Sequence, residues 1–192
     1  MVDLINNTLS PHTPLKKALF LDRDGVVIDY SPYLSKPEQV TFPEGAGDGL
    51  KQWQNAGYLL ILITNQAGVG RGYFSLEDVD KVHVYIRQEY EKFGVYFDDI
   101  FICPHHPQDN CGCRKPSPEM LLKASKKHQI SMSESFFIGD APSDLECSIR
   151  GNCQPILVLT GRGKTTVKEI HKYPREIPVF ETLLETVKLI QK

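Results

Sequence analysis

The chain has 192 residues, with 22 lysines and arginines against 24 acidic residues, a formal net charge of −2 and 41% apolar content. That is enough apolar sequence for one sizeable core and too even a charge for a nucleic-acid or anionic-membrane surface; no segment approaches the roughly 18 apolar residues of a membrane span. Five cysteines, three of them between positions 103 and 113, together with an N-terminus that lacks the pattern of a secretory leader, suit a cytoplasmic protein that ligates metal rather than forming disulfides.

Residues 1–17 carry Asp3, Asn6, Asn7 and two prolines and are expected to form a loosely held tail, with a single domain over 18–192. Residues 18–21 are an apolar run that ends in Asp22-Arg23-Asp24-Gly25, which reads as a buried strand entering a turn. Side chains alternate along a strand, so Asp22 and Asp24 are expected on one side and Arg23 on the other. Two such carboxylates repel unless a cation lies between them or one is protonated. Residues 26–43, punctuated by Pro32, Pro37 and Pro43, are long for a plain connection and are expected to form a flap over that site. A glycine-diluted amphipathic helix follows over 45–57, with Leu50 and Trp53 inward.

Residues 58–63 are continuously apolar and end at Thr64-Asn65-Gln66, the pattern of a parallel strand covered on both faces. Residues 67–73 form a glycine-rich loop carrying Arg71. Ser75, with Glu77 and Asp78 behind it, opens a long helix to about 93. A third strand over 100–102 leads into a cysteine-rich loop at 103–115, and a helix with Pro118 at its first position runs to about 128. A fourth strand over 136–139 ends at Asp140; a helix over 144–150, a fifth strand over 156–159 and a closing helix from about 181 complete the chain. Phe93 and Trp53 read as core; His83, His128 and His171 read as solvated. Alternating strands and helices predict an α/β three-layer sandwich with a mostly parallel central sheet and no large cap domain. Ligands bind outside the carboxyl ends of such strands, which is where Asp22, Asp24, Thr64, Asn65, Cys103 and Asp140 fall.

These residue types suit phosphoryl transfer, which needs positioning and positive charge around the equatorial oxygens. Asp22 is the candidate nucleophile, forming an aspartyl-phosphate, and Asp24 the general acid and base. Asp140 would complete an oxygen ligand set of the kind Mg²⁺ prefers. Thr64 can donate its hydroxyl to a phosphoryl oxygen, and Lys115 supplies a fixed positive charge. Gly161-Arg-Gly-Lys-Thr165 invites a nucleotide-binding reading, but the phosphate loop needs a glycine where Val158 stands, so a turn is expected there.

The set of DRDG at 22–25, the strand ending at Thr64, Lys115 before Pro116, and GDAPSD at 139–144 resembles the haloacid dehalogenase superfamily of phosphatases. The resemblance implies Mg²⁺ held by Asp22, by Asp24 through its backbone carbonyl and by Asp140, with Asp144 in support. Cys103, His105, Cys111 and Cys113 make a C-x-H…C-x-C arrangement that fills a closed tetrahedral Zn²⁺ shell, the mark of a structural site; His106 is the rival ligand.

With that loop included, the chain is similar to the D-glycero-D-manno-heptose 1,7-bisphosphate phosphatases and to the related histidinol-phosphate phosphatases. Asn65, Gln66, Ala67 and Arg71 look like the heptose branch, Tyr33 matches its flap tyrosine and Arg114 its substrate-recognition arginine. The resemblance therefore implies a small phosphorylated sugar as substrate. Ala141, where some heptose enzymes carry a lysine, and the flap sequence Asp29-Tyr30-Ser31-Pro32-Tyr33 depart from that pattern. A zinc-loop binding module is the non-enzymatic alternative, but it would need clustered basic and aromatic residues around 103–115, where Arg114 and Lys115 stand alone. Neither a nucleic-acid nor a membrane partner is expected, and a monomer is the default assembly.

Overall fold

The computed structural model describes residues 14–191. The described part is built on one six-stranded sheet: β1 (Lys17–Leu21), β2 (Tyr58–Asn65), β3 (Asp99–Cys103), β4 (Phe136–Gly139), β5 (Gln154–Val158) and β6 (Val179–Phe180). Their order is β3-β2-β1-β4-β5-β6, and every pairing is parallel. The chain winds outward from β1 through β2 to β3, then returns to the other side of β1 with β4. The strand order therefore reverses between β1 and β4, where open parallel sheets leave a crevice for ligands.

The helices are α1 (Ala46–Asn55), α2 (Ala67–Gly70), α3 (Leu76–Glu91), α4 (Glu119–His128), α5 (Pro142–Arg150) and α6 (Gly163–Thr166). Alternate residues of the continuous apolar strands feed two separate cores. Leu19, Leu21, Leu60, Leu62 and Ile138 pack with Leu50 and Trp53 of α1 and with Val82 and Ile86 of α3. Ala18, Phe20, Ile61, Ile63 and Phe137 pack on the opposite face with Met120, Leu121 and Ala124 of α4. Ser75 caps α3 as expected, accepting from the Asp78 amide while the Asp78 carboxylate accepts from Ser75 N–H at 2.9 Å.

Several expectations are corrected. The expected tail overlaps the sheet, because β1 begins at Lys17 and Lys16 bridges Ile130; residues 1–13 of that expectation lie outside the described residues. The segment expected as a flap is fixed in the core at Val26, Val27, Ile28, Leu34 and Val40, while its residues 30–34 do line the cavity beside Asp22. The closing helix is instead β6 followed by a 3₁₀ segment over Leu184–Leu189. Phe93 is 54% exposed, because α3 stops at Glu91 and the helical spacing no longer applies. His83 is buried rather than solvated, and His128 hydrogen-bonds Asp99 at 2.7 Å. No described helix is long and apolar enough to cross a membrane.

Phe20 is fully buried on the central strand, so Phe20→Ala should cost about 3–5 kcal/mol of unfolding free energy, read as a lower urea midpoint with an unchanged denaturant slope.

Candidate active site

The β1 ladder ends at Leu21, and Asp22 continues it by one residue, its N–H bonding the Ile138 carbonyl of β4 at 3.0 Å. Asp140 leaves the end of the neighbouring β4, and Asp144 stands in the first turn of α5. One carboxylate oxygen from each of Asp22, Asp140 and Asp144 lies within 4.8 Å of the others, all three residues being buried. Gly25 and Gly161 close over Asp140: a Cβ would come within 2.5 Å of its Oδ2 at Gly25 and within 2.2 Å at Gly161, and both have positive φ. Only glycine permits that approach.

Lys115 enters this cluster from the end of the cysteine loop and is 3% exposed. Its ammonium donates to Asp22 Oδ1 and to the Ile63 carbonyl, each at 2.8 Å, and lies 2.8 Å from Asp144 Oδ1. Burial works against its charge, but Asp144 and Asp22 outweigh burial and hold the amine above the ordinary lysine range. Asp22 Oδ1 also accepts from the Arg23 N–H at 2.8 Å. Burial, with Asp144, Asp140 and Asp24 adding repulsion, raises Asp22 to about 7 despite the attraction of Lys115. Burial and Asp144 likewise raise Asp140 to about 6, against the opposing pull of Arg162.

Three buried carboxylates face one buried ammonium and, at the cavity edge, the half-exposed Arg162 guanidinium 3.5 Å from Asp140 Oδ1. Asp140 Oδ1 has only the long 3.5 Å ion pair with Arg162 and no closer hydrogen-bond donor among the described residues, and no N–H there takes the Asp24 carbonyl. A hard divalent cation fits this donor set of carboxylate and carbonyl oxygens.

Asp24 does not share a face with Asp22 by strand alternation, because the strand has ended and DRDG is a turn. Its carboxylate faces Arg23 and Gln66 instead of the trio. Asp144, expected in support, is the third member of the carboxylate cluster. Thr64 is fully buried at the end of β2, where its hydroxyl accepts from the Gln66 amide at 2.8 Å. Asn65 secures the lysine loop: its Oδ1 accepts from Lys115 N–H at 3.1 Å and its Nδ2 donates to the Lys115 carbonyl at 3.2 Å.

A cavity of about 260 Å³ opens over Asp22, Asp24 and Lys115, and its wall includes Tyr33, Asn65, Gln66, Ala67, Arg71 and Arg114. Arg114 Nη1 is buried with no hydrogen-bond partner among the described residues. Tyr33 is 51% exposed, has φ of 55° and meets Tyr73 edge-on at 4.8 Å. Tyr30 and Arg162 also line the cavity, with the guanidinium 5.4 Å from the tyrosine ring; sequence reasoning singled out neither. It also missed His83, although His83 stands four residues after Val79 and three before Ile86, on the buried stripe of α3.

The cysteine loop gathers the four expected ligands. Cys103 Sγ is 3.6 Å from Cys111 Sγ, Cys113 Sγ is 3.8 Å from Cys111 Sγ, and His105 Nδ1 is 3.7 Å from Cys103 Sγ and 3.2 Å from Cys113 Sγ. A tetrahedral ion with Zn–S bonds of about 2.3 Å requires sulfur–sulfur edges of about 3.8 Å, so the cluster fits zinc. Burial pushes the Cys103 thiol up to about 12, with its neighbouring thiols adding to the rise; a bound cation would reverse that. His106 is occupied elsewhere, accepting from Gln108 N–H at 3.1 Å.

The comparisons agree with this geometry. A family model described as HAD-hydrolase-like matches residues 112–186. The D-glycero-beta-D-manno-heptose-1,7-bisphosphate 7-phosphatase of Helicobacter pylori 26695 is 41% identical over 144 residues, 74% of this chain and 83% of its own length. The protein of that name from Pasteurella multocida is 36% identical over 184 residues, 92% of this chain and 98% of its own. The crystal structure of D,D-heptose 1,7-bisphosphate phosphatase from B. bronchiseptica, complexed with magnesium and phosphate, superposes with a TM-score of 0.86 at 30% identity, covering 91% of this chain and 98% of that one. The fold and the site thus define a haloacid dehalogenase-like hydrolase. Within that class, the chain belongs to the heptose-1,7-bisphosphate 7-phosphatase family.

Metal analysis of protein purified without chelator should find one zinc per chain, with Cys113→Ser and His105→Ala each lowering that content several-fold. Zinc lost with His106→Ala but kept with His105→Ala would reverse the ligand assignment.

Proposed function

We propose that this chain is a Mg²⁺-dependent phosphatase that removes the C7 phosphate of D-glycero-D-manno-heptose 1,7-bisphosphate. The observation that carries this reading is the Lys115 ammonium, buried between Asp22 and Asp144 beside Asp140, at the floor of a cavity lined by Arg71 and Arg114. One phosphoryl group would meet the nucleophile and the lysine. The free donor of Arg114 would engage the second phosphate, since guanidinium binds oxyanions bidentately. The names of the relatives support the sugar assignment.

In the proposed reaction Asp22 attacks phosphorus, and the bond from phosphorus to the sugar oxygen breaks as Asp24 gives that oxygen its proton. Asp24, now a carboxylate, takes a proton from water, whose oxygen attacks the aspartyl-phosphate and releases inorganic phosphate, restoring Asp22. Lys115 neutralises charge on the phosphoryl oxygens throughout. The Thr64 hydroxyl, anchored by Gln66, has its own proton still to give to a phosphoryl oxygen. Asp22, Asp140 and Asp144, with the Asp24 carbonyl, would hold Mg²⁺, which supplies electrostatic stabilisation of the transferring group. The zinc loop carries no reacting group and presents Arg114 and Lys115. Thiolate ligands and a small soluble substrate suit a cytoplasmic setting.

Asp22→Asn should lower kcat by about 10⁴-fold or more, with Asp22→Asn protein still melting cooperatively; retained turnover would refute the nucleophile. The deciding substrate comparison is kcat/KM on heptose 1,7-bisphosphate against histidinol phosphate, with the bisphosphate expected to lead and the reverse order overturning the sugar assignment.

A pH dependence also follows. Asp22 and Asp140 carry raised values in the metal-free fold, so that fold binds protons more tightly than the unfolded chain. Their contribution to stability is present at low pH and is lost as pH rises through about 6 to 7. Mg²⁺ competes for the same oxygens, so the rise in Tm that it produces should be largest above about pH 7 and fade toward pH 5. An equal Tm shift across that range would contradict the cation site.

A further inference from the structure

The geometry points to Arg23 as a positioning residue that, together with Gln66, holds the Asp24 carboxylate out of the cation cluster and reserves it for proton transfer. The inference rests on the acid–base reading of Asp24 given above. Arg23 is 1% exposed, and a guanidinium cannot shed its charge, so its placement must be matched by partners. Those partners are specific. Nε donates to Asp24 Oδ2 at 3.1 Å and Nη2 to Asp24 Oδ1 at 3.0 Å, so the fork takes both carboxylate oxygens. Nη2 also donates to Gln66 Oε1 at 3.0 Å, while Gln66 Nε2 donates to Asp24 Oδ2 at 3.1 Å and to Thr64 Oγ1 at 2.8 Å.

Behind the guanidinium, Nη1 faces His83 Nε2 of α3 at 3.4 Å. An arginine can only donate, so that ring nitrogen must be the acceptor and the imidazole neutral. Burial first, then Arg23 and Arg87, hold His83 well below the usual histidine range, at about 3, which keeps the acceptor available. The backbone of Arg23 is pinned as well: its carbonyl accepts from Val27 and Ile28 N–H, each at 3.0 Å.

The consequence is a division of labour among four neighbouring carboxylates. Asp22, Asp140 and Asp144 can meet around one cation. Asp24 has both oxygens engaged by Arg23 and Gln66 and points its charge the other way. A lysine at position 23 would keep the charge but lose the planar fork. Asp24 would then be free to turn toward the cation and would lose its fixed orientation for taking a proton from water.

Stopped-flow turnover of p-nitrophenyl phosphate with Mg²⁺ separates the two half-reactions. Its leaving group departs without a proton, so the burst reports attack by Asp22 and the steady state reports hydrolysis of the aspartyl-phosphate. Arg23→Lys should keep the burst rate within about threefold of wild type and slow the steady state by about 10–100-fold, and His83→Leu, which removes the acceptor facing Nη1, should show the same split more weakly. The Mg²⁺ half-saturation of the burst should not weaken in the clamp variants, and Asp24→Asn should show the same split between the two phases more strongly. If Asp24→Asn raises the burst-to-steady-state ratio and neither clamp variant does, the clamp is refuted while the role of Asp24 stands. If Asp24→Asn leaves the ratio unchanged, the acid–base reading fails and the clamp with it. Equal loss in both phases with weakened Mg²⁺ would mark Arg23 as merely structural and overturn the proposal. Should Arg23→Lys not melt cooperatively, His83→Leu, which loosens the guanidinium from behind and lies outside the cavity wall, decides alone.

Discussion

The buried ammonium of Lys115 is the contact on which the rest of the site depends. It joins three parts of the chain that are distant in sequence: Asp22 after β1, the Ile63 carbonyl in β2, and Asp144 in α5. None of these groups is stable in that place without the others. Burying a charge costs several kcal/mol, recovered only when its partners are well placed, and removing one partner of such a pair costs about 3–5 kcal/mol. The lysine is therefore both a structural tie and the charge that a phosphoryl group would meet.

Much of the surrounding structure keeps that lysine in position. The parallel register of β1, β2 and β4 brings Asp22, Thr64 and Asp140 to one edge of the sheet. Asn65 grips the Lys115 backbone through both atoms of its amide. The loop that delivers Lys115 is polar; Cys103 is buried in the core beside α4 with Cys111 and Cys113 against it, and these three with His105 could hold a metal ion that would anchor the loop further. Glycines at 25 and 161 let the backbone close over Asp140 from two directions.

The parts legible in the sequence were those that repeat or cluster. Long apolar runs such as 58–63 announce a doubly covered strand, and the cysteine spacing announces its ligands, because both signals are local. The unreadable parts depend on where an element stops. Alternation across 22–24 assumed a strand that ends at Leu21, and so placed Arg23 away from Asp24, when the turn folds its guanidinium back onto that carboxylate. Phe93 was misjudged because α3 ends two residues earlier. β6 is two residues long and carries no periodicity to read. His83 was visible in principle, on the apolar stripe of its helix, but a polar residue at a buried helical position reveals its partner only in three dimensions.

In the proposed reaction the ends of β1, β2 and β4 and one lysine loop assemble a nucleophile at Asp22 and an acid–base group at Asp24. The most direct measurement is acid-quench peptide mapping by mass spectrometry of Asp24→Asn protein mixed with Mg²⁺ and p-nitrophenyl phosphate, whose leaving group departs without a proton. One phosphoryl group is expected on the peptide containing Asp22, accumulating because its hydrolysis is slowed. A phosphoryl group on any other residue, or turnover with none trapped, would contradict that assignment.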